Sequence, residues 1–136
     1  MPFDPQILNQ SDFLRSLDPA VLDDLKAQCN TVQFSAGEII LRESDKADAA
    51  YILLYGSVQI YKEQSNGEQL FLHQVLRGSL FGEQALINGQ KRNASARAQT
   101  SVEALRLPEQ AFLTAVRTDP QIHKRLVLLG DEQLQE

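Results

Sequence analysis

The residues with the most evident chemistry lie between Gly78 and Ala98 of the 136-residue chain. Glu83 follows a glycine at the start of one predicted helical turn, and Arg92 comes nine residues later. The first N–H groups of a helix have no partner within it, and the helix dipole favours negative charge there. An arginine adds a planar fork of donors that matches phosphate oxygens. The segment therefore has the donors to hold a phosphate group.

Glu83 is predicted to face a hydrogen-bond donor, because a carboxylate beside a phosphate would repel it. A sugar hydroxyl is such a donor, and the small residues Ala94, Ser95 and Ala96 would let a ligand approach the backbone closely. A phosphate and a hydroxyl side by side suggest a ribose phosphate. The residues alone leave a second interpretation equally open: a surface turn in which Arg92 is solvated and Glu83 caps its own helix.

The charge of the chain argues against a nucleic-acid ligand. Thirteen basic and eighteen acidic residues give a net charge of −5, whereas nucleic-acid binders are usually basic. Between residues 61 and 100 the balance reverses, with five basic and three acidic residues. Chance accounts for such a local difference as readily as an anion site does.

Length and composition predict one soluble globular domain over residues 1–136, with 43% hydrophobic and 23% charged residues. The single cysteine, Cys29, excludes an intramolecular disulfide and fits a reducing compartment, so we expect a cytoplasmic protein. No apolar run is long enough to cross a membrane, and the first residues lack the features of a signal peptide. No membrane partner is therefore expected.

The elements around the segment are predicted to be strands with helices on either side. Helices are expected over about 10–30, where Asp18 and Pro19 favour a helix over about 19–29. Short apolar runs separated by turn residues predict strands over about 31–107, and Asn66-Gly67 is the clearest hairpin turn. This pattern is typical of an antiparallel sandwich or barrel.

Helices are expected again over 108–136. Pro108 opens the first, and Asp119-Pro120 opens a second with Leu126 and Leu129 on one face.

Two runs in the chemistry-bearing segment carry a resemblance to a known family. The first is Phe81-Gly82-Glu83-Gln84-Ala85-Leu86, and after five residues the second is Arg92-Asn93-Ala94-Ser95. Together they resemble the phosphate-binding cassette of cyclic nucleotide-binding domains, which occur in cAMP-dependent kinase regulatory subunits, the catabolite activator family and cyclic-nucleotide-gated channels. We call residues 81–95 the cassette. Glycine turns at Gly37 and Gly56 extend the resemblance over about residues 12–128.

The resemblance implies a mainly β fold, an antiparallel β-jelly-roll barrel with flanking N- and C-terminal helices and a cyclic nucleotide inside. It implies that Glu83 accepts from the ribose 2′-hydroxyl, that Arg92 pairs with the cyclic phosphate, and that N–H groups around Ala85 and Ala94 complete the cradle. A C-terminal helix over about 119–134 would close over the base. The implied ligand-binding residues are Phe81, Gly82, Glu83, Gln84, Ala85, Arg92, Asn93 and Ala94.

Two positions depart from the family pattern. Ser44 stands where many members have glycine, in a turn that needs unusual backbone angles. Asn93 follows the cassette arginine, where alanine, serine or threonine is common, and its amide can serve either purine. We favour cAMP over cGMP, because cAMP is the commoner ligand of bacterial-type members.

Enzymatic and metal-dependent functions have little support in the residues. His73 and His123 are far apart on different predicted elements, so no metal site is expected, and His73 is predicted to be an ordinary face or core residue. No enzyme motif is present. Cys29 is predicted to be a buried structural thiol.

We therefore expect a non-enzymatic sensor that binds a cyclic nucleotide and relays binding through its C-terminal helix to a partner or an attached effector domain. A homodimer is an alternative assembly, and direct nucleic-acid binding is not expected. The alternative function is a docking or dimerisation module that has lost nucleotide binding. The departures from the family pattern at Ser44 and Asn93 are the features that support it.

Overall fold

The computed structural model describes residues 11–118. Its helices are α1 (Asp12–Arg15), α2 (Pro19–Gln28), α3 (Gln84–Asn88) and α4 (Glu109–Thr118). Its strands are β1 (Asn30–Phe34), β2 (Ile39–Leu41), β3 (Ala49–Tyr55), β4 (Val58–Glu63), β5 (Gln69–Val75), β6 (Leu80–Phe81), β7 (Ser95–Ala98) and β8 (Val102–Pro108). The predicted second C-terminal helix, with Leu126 and Leu129, lies outside the described residues.

The strands form two antiparallel four-stranded sheets, in the orders β1-β8-β3-β6 and β2-β7-β4-β5. The mainly β, antiparallel prediction is confirmed, with helices on the N-terminal side and α4 after the last strand. Over residues 11–118 no ladder joins one sheet to the other, so the predicted closed barrel is not observed. The physical reason is length: β6 has two residues and β2 has three, too few to continue a ladder from sheet to sheet.

The central strand β3 is buried on both faces, which explains its uninterrupted apolar sequence. Ala50, Ile52 and Leu54 pack against the helices, in a core cluster that also contains Phe13 and Phe112. The alternate residues Ala49, Tyr51 and Leu53 belong to a second cluster, between the two sheets. One strand thus separates a helix-facing core from a sheet-facing core.

The helices pack on the outer face of the first sheet. Phe13 of α1 and Phe112 of α4 bring their ring centroids within 5.5 Å. The helix predicted over 19–29 is confirmed as α2, with Pro19 at its first turn and Cys29 at its C-terminal end. Asp18 occupies the N-cap position, but its side chain makes no capping hydrogen bond.

The thiol of Cys29 is half-buried against the helix-facing core. Burial raises its pKa to about 12, so the unreactive protonated thiol is strongly favoured. None of the helices within residues 11–118 has the length and apolar character needed to span a bilayer.

The β4–β5 hairpin turns where Asn66-Gly67 predicts it, with Gly67 at a φ of 86° and Glu63 paired with Gln69. Strand β5 is the edge of its sheet and is solvent-exposed over all but its last residue. The sequence puts Leu70 and Leu72 on one face of the strand and Phe71 and His73 on the other, and all four residues are exposed. Within residues 11–118, nothing covers either face of this strand from Gln69 to Gln74 closely enough to bury it.

Candidate functional site

All eight residues of the implied ligand site line one pocket. They come from β6, from α3 and from the loop that leads to β7. The pocket holds about 520 Å³ of space free of protein atoms, part of it open to solvent. The lining residues that the sequence prediction missed are Leu41, Ile60, His73, Leu80 and Ser95.

The backbone of Arg92 is fixed by the loop between β2 and β3. Its N–H donates to the carbonyl of Asp45 (2.9 Å), and its carbonyl accepts from the N–H of Ser44 (2.8 Å). Ser44 has a φ of 75° and is the one non-glycine residue within 11–118 in the left-handed region. The departure noted in the sequence therefore lies in direct contact with the cassette arginine.

The side chain of Arg92 is buried, with 6% of its residue surface exposed. Its Nη2 donates to the carbonyl of Ala49 (2.7 Å), and its Nη1 donates to the carbonyl of Gly82. Within residues 11–118 no carboxylate oxygen lies within 4.0 Å of the guanidinium nitrogens. The ion pairs in this part of the chain are formed by Arg15 and Arg106. A buried cation with only carbonyl partners is incompletely neutralised, and an anion in the pocket would complete its coordination.

Burial lowers the pKa of Arg92, and the nearby side chains of Tyr51, Asp48, Glu83 and Asp45 oppose this shift. An arginine nevertheless stays protonated in proteins, because its ordinary pKa is so high. The pocket wall therefore carries a permanent positive charge.

Glu83 is buried as well, with 8% of its surface exposed. It occupies the N-cap position of α3 without making a capping hydrogen bond, and it accepts from Nε2 of Gln84 (3.3 Å). Burial raises the pKa of its carboxyl, while the hydrogen bonds and the charge of Arg92 lower it. The surface-turn interpretation is therefore wrong on both counts: Arg92 is not solvated, and Glu83 does not cap its own helix.

The glycine between Phe81 and Glu83 is required by close packing. Gly82 has a φ of 76°, and an added Cβ would lie 2.9 Å from Cδ1 of Leu41 and 3.0 Å from Nη1 of Arg92. The preceding ring of Phe81 stacks on Tyr51 of β3, with centroids 5.5 Å apart. The start of the cassette therefore packs against the central strand β3.

The helical turn of the cassette is held in place by its contact with the helix-facing core. Leu86 of α3 is buried in the helix-facing core, and Gly89 ends the helix with a φ of 65°. The N–H of Gln90 returns to the carbonyl of Ala85 (3.0 Å). The sequence predicts this helical turn, and Asn88-Gly89 suits its end, because Asn-Gly tolerates this backbone conformation.

Two of the residues that the prediction missed are polar. Ser95 accepts from the N–H of Glu43 (2.9 Å), which ties β7 to the loop after β2. His73 is exposed on β5, opposite Ile60 of β4. It was predicted to be a face or core residue, and the structure places it on a face that lines the pocket. The local sequence does not predict that His73 lines the pocket, because this depends on how the β4–β5 hairpin lies beside the cassette.

Residues 11–118 contain no group of three or more His, Cys, Asp or Glu side chains that could hold a metal ion. The polar groups of the pocket suit an anion that also donates hydrogen bonds: the anion for the guanidinium, the donor for the carboxylate.

Comparison with known proteins adds to this geometry. Residues 31–119 match the cyclic nucleotide-binding domain family. The chain belongs to this family.

Two curated relatives and one solved structure illustrate the range of the family. A cAMP-dependent protein kinase regulatory subunit of Emericella nidulans is 34% identical over 105 residues, which cover 77% of this chain and 25% of the relative. A CRP-like cAMP-activated global transcriptional regulator of Mycobacterium tuberculosis is 25% identical over 122 residues, covering 90% and 54%. The structure of cAMP-bound PfPKA-R is 29% identical with a TM-score of 0.73, covering 81% of this chain and 39% of its own.

The chain therefore spans about a quarter of the length of the first relative and about half of the second. Both of these curated relatives are named as regulatory proteins.

Proposed function

We propose that this chain is a non-enzymatic sensor domain whose pocket binds a cyclic purine nucleotide through Arg92 and Glu83. The observation that carries the proposal is the buried guanidinium of Arg92, which lines the pocket and has no carboxylate within 4.0 Å in residues 11–118. A cyclic phosphodiester has one negative charge to neutralise it. The ribose 2′-hydroxyl of the same ligand donates to Glu83.

The proposed contacts of the ligand follow from the pocket lining. The phosphate pairs with Arg92 and with N–H groups near Ala85 and Ala94, while Phe81, Gly82, Gln84 and Asn93 complete this wall. We propose cAMP as the preferred ligand, with cGMP second. Names of relatives support this choice, because the matched kinase subunit is cAMP-dependent and the matched structure is cAMP-bound.

The proposed output is a relay through the segment after α4. Residues 119–134, with Leu126 or Leu129 against the base, would repack when the ligand binds and pass the change to a partner or an attached effector domain. This segment lies outside the described residues. A relay to a larger assembly is supported by the length of the relatives, of which this chain matches only a part. We propose the cytoplasm as its location.

The main test of the site is the substitution Arg92→Ala. Loss of a charge-assisted contact removes about 1.5–3 kcal/mol, so we expect cAMP to bind roughly ten- to hundredfold more weakly. Arg15→Ala is the matched control, because Arg15 lies on α1, exposed and away from the pocket. Isothermal titration calorimetry measures the cAMP affinity of the wild type and of both variants. Equal affinities for the wild type and Arg92→Ala would refute the assignment of Arg92 to the ligand site.

A docking or dimerisation module is the second candidate, and one observation favours it. The terminal nitrogens of Arg92 already donate to the carbonyls of Gly82 and Ala49, so the fold has internal partners for this side chain. A thermal-shift comparison with cAMP, cGMP and AMP separates the two functions. Stabilisation by a cyclic nucleotide but not by AMP supports the sensor, whereas no shift with any of them supports the docking module.

A further inference from the structure

Strand β5 is the longest edge strand in the described part of the chain. Of the four edge strands that residues 11–118 form, β5 has seven residues, whereas β1, β2 and β6 have five, three and two. An edge strand leaves alternate backbone N–H and C=O groups without a strand partner, so a further strand can pair with it. The edge of β5 is therefore the place in residues 11–118 with the most room for such pairing.

The side chains of β5 favour contact with a partner. Leu70, Phe71 and Leu72 follow one another and are 47%, 51% and 41% exposed. The strand has no charged residue and no proline, which commonly keep an edge unpaired. A register shift opposite Ile60 and Tyr61 bends the strand near Leu72, which weakens edge pairing in general, but the apolar side chains stay exposed. A partner strand would remove three large apolar side chains from water.

The charges beside β5 indicate which partner fits. Glu68 precedes the strand, and Arg77 is the first charged residue after it. Both are exposed, and neither forms an ion pair within residues 11–118. When two copies of β5 pair antiparallel over their full length, the start of one strand lies beside the end of the other. Glu68 of each copy then lies near Arg77 of the other copy, so opposite charges meet at both ends.

We propose that β5 is a homodimer interface, in which the β5 strands of two copies pair antiparallel about a twofold axis. Both copies use the same surface, so the contact closes once the two edges have joined. The opposite edge of the same sheet is β2, whose three residues are too few to extend the assembly into a fibre. Leu70, Phe71 and Leu72 do not line the pocket, so the dimer is compatible with either function considered above.

The test is the mass of the full chain in solution, measured by sedimentation velocity over about a hundredfold range of protein concentration. We expect the wild type to be a dimer at the upper end of this range. Phe71→Lys removes an exposed aromatic ring and brings two like charges near each other in the dimer. The dissociation constant of the dimer should therefore rise about tenfold or more.

Tyr55→Lys is the matched control for Phe71→Lys. Tyr55 is 64% exposed and lies on β3, in the other sheet, and its replacement also exchanges an exposed aromatic ring for a positive charge. This variant should keep the wild-type dissociation constant. A wild type that stays monomeric throughout, or a dimer that Phe71→Lys weakens no more than Tyr55→Lys does, would overturn the proposal. A monomer that Phe71→Lys makes less heat-stable would overturn it in favour of coverage of β5 by residues 119–136 of the same chain.

A charge exchange tests the antiparallel orientation. Glu68→Arg and Arg77→Glu each bring like charges together at both ends of the paired strands, so each should weaken the dimer about threefold. The variant with both substitutions restores opposite charges and should regain the wild-type dissociation constant. A double variant as weak as the single variants, or weaker, would overturn this orientation. None of these measurements needs a nucleotide, so they are independent of whether the chain binds cAMP.

Discussion

At the scale of single residues, burial and charge oppose each other in the pocket. Arg92 and Glu83 are both almost completely buried, yet they are more than 4.0 Å apart and do not neutralise each other as an ion pair. Burying charge without a direct partner is costly in a folded protein. A ligand with a phosphate and a hydroxyl would give both groups a partner at once. Binding would therefore offset the cost of burying these two groups.

The raised pKa of Glu83 predicts a pH dependence of stability. Burial raises this pKa above its ordinary value, so the folded chain holds the proton at a pH where the unfolded chain has released it. Stability from this group is therefore present at low pH and lost as pH rises through the folded-state pKa. Relative to Glu83→Gln, the wild type should become more stable as pH falls from neutral towards about 4.3, the ordinary pKa of a glutamate.

Urea denaturation of both proteins over this pH range measures the effect. Because the other ionisable groups are common to both, their contributions cancel in the difference between the two free energies of unfolding. A difference that does not vary with pH, or that favours the wild type at high pH, would contradict the prediction.

Gly82→Ala should weaken nucleotide binding. The added methyl group would lie 3.0 Å from Nη1 of Arg92 and 2.9 Å from Cδ1 of Leu41, so the guanidinium must shift. We expect about tenfold weaker binding, as for partial loss of one charge-assisted contact. Gly67→Ala is the control, since Gly67 has a similar φ of 86° but nothing within 4 Å of the added carbon. Both variants should lose stability, and calorimetry should find weaker binding only in Gly82→Ala.

At the scale of elements, local chemistry predicted the turns around the site. The turn Asn88-Gly89, the helical turn before it and the hairpin at Asn66-Gly67 all lie where short-range backbone preferences put them. The eight implied ligand-binding residues lie around one pocket, and β6, α3 and the following loop, which supply them, are continuous in sequence. Their prediction rested on the resemblance to the family cassette, since the residues alone left a surface turn equally open.

What the sequence did not predict depends on contacts between distant elements. Whether β5 is an edge strand is decided by which strands pair, and its own sequence is the same in either case. Leu41, Ile60 and His73 enter the pocket from strands far from the cassette in sequence. The absence of closure between the sheets likewise depends on the short ladders of β2 and β6.

The turn at Gly56 is one of the connections between the two sheets, and its close packing predicts a large loss of stability in Gly56→Ala. Gly56 connects β3 in the first sheet with β4 in the second, and an added Cβ would lie 2.2 Å from the carbonyl oxygen of Ser101. A clash with backbone cannot be relieved by a rotamer change. We expect a loss of about 3 kcal/mol or more, against about 1–2 kcal/mol for the strain alone in Gly67→Ala.

Chemical denaturation of the two glycine variants compares these losses directly. Equal losses would mean that the turn at Gly56 moves freely away from Ser101, and that the two sheets are not coupled there.

At the scale of the whole molecule, the net charge of −5 and the buried Arg92 act at different distances. The total charge repels any anion from afar, whereas Arg92 attracts it only inside the pocket. The reversal of charge over residues 61–100 places five basic residues in the part of the chain that contains the cassette. The ionic strength determines which charges an approaching nucleotide experiences. The Debye length, over which charges act, shortens from about 30 Å at 0.01 M to about 8 Å at 0.15 M.

The association rate of cAMP should therefore increase with ionic strength. At low salt the whole negative surface opposes the ligand, and at 0.15 M only the charges near the pocket remain effective, so we expect about a two- to threefold increase. The dissociation rate should change little, because the contacts that hold the ligand are buried and poorly screened. Stopped-flow measurement with a fluorescent cyclic nucleotide gives both rates. An association rate that falls with salt would mean that the local positive segment already steers the ligand at long range, and that the net charge of the chain is not what limits its approach.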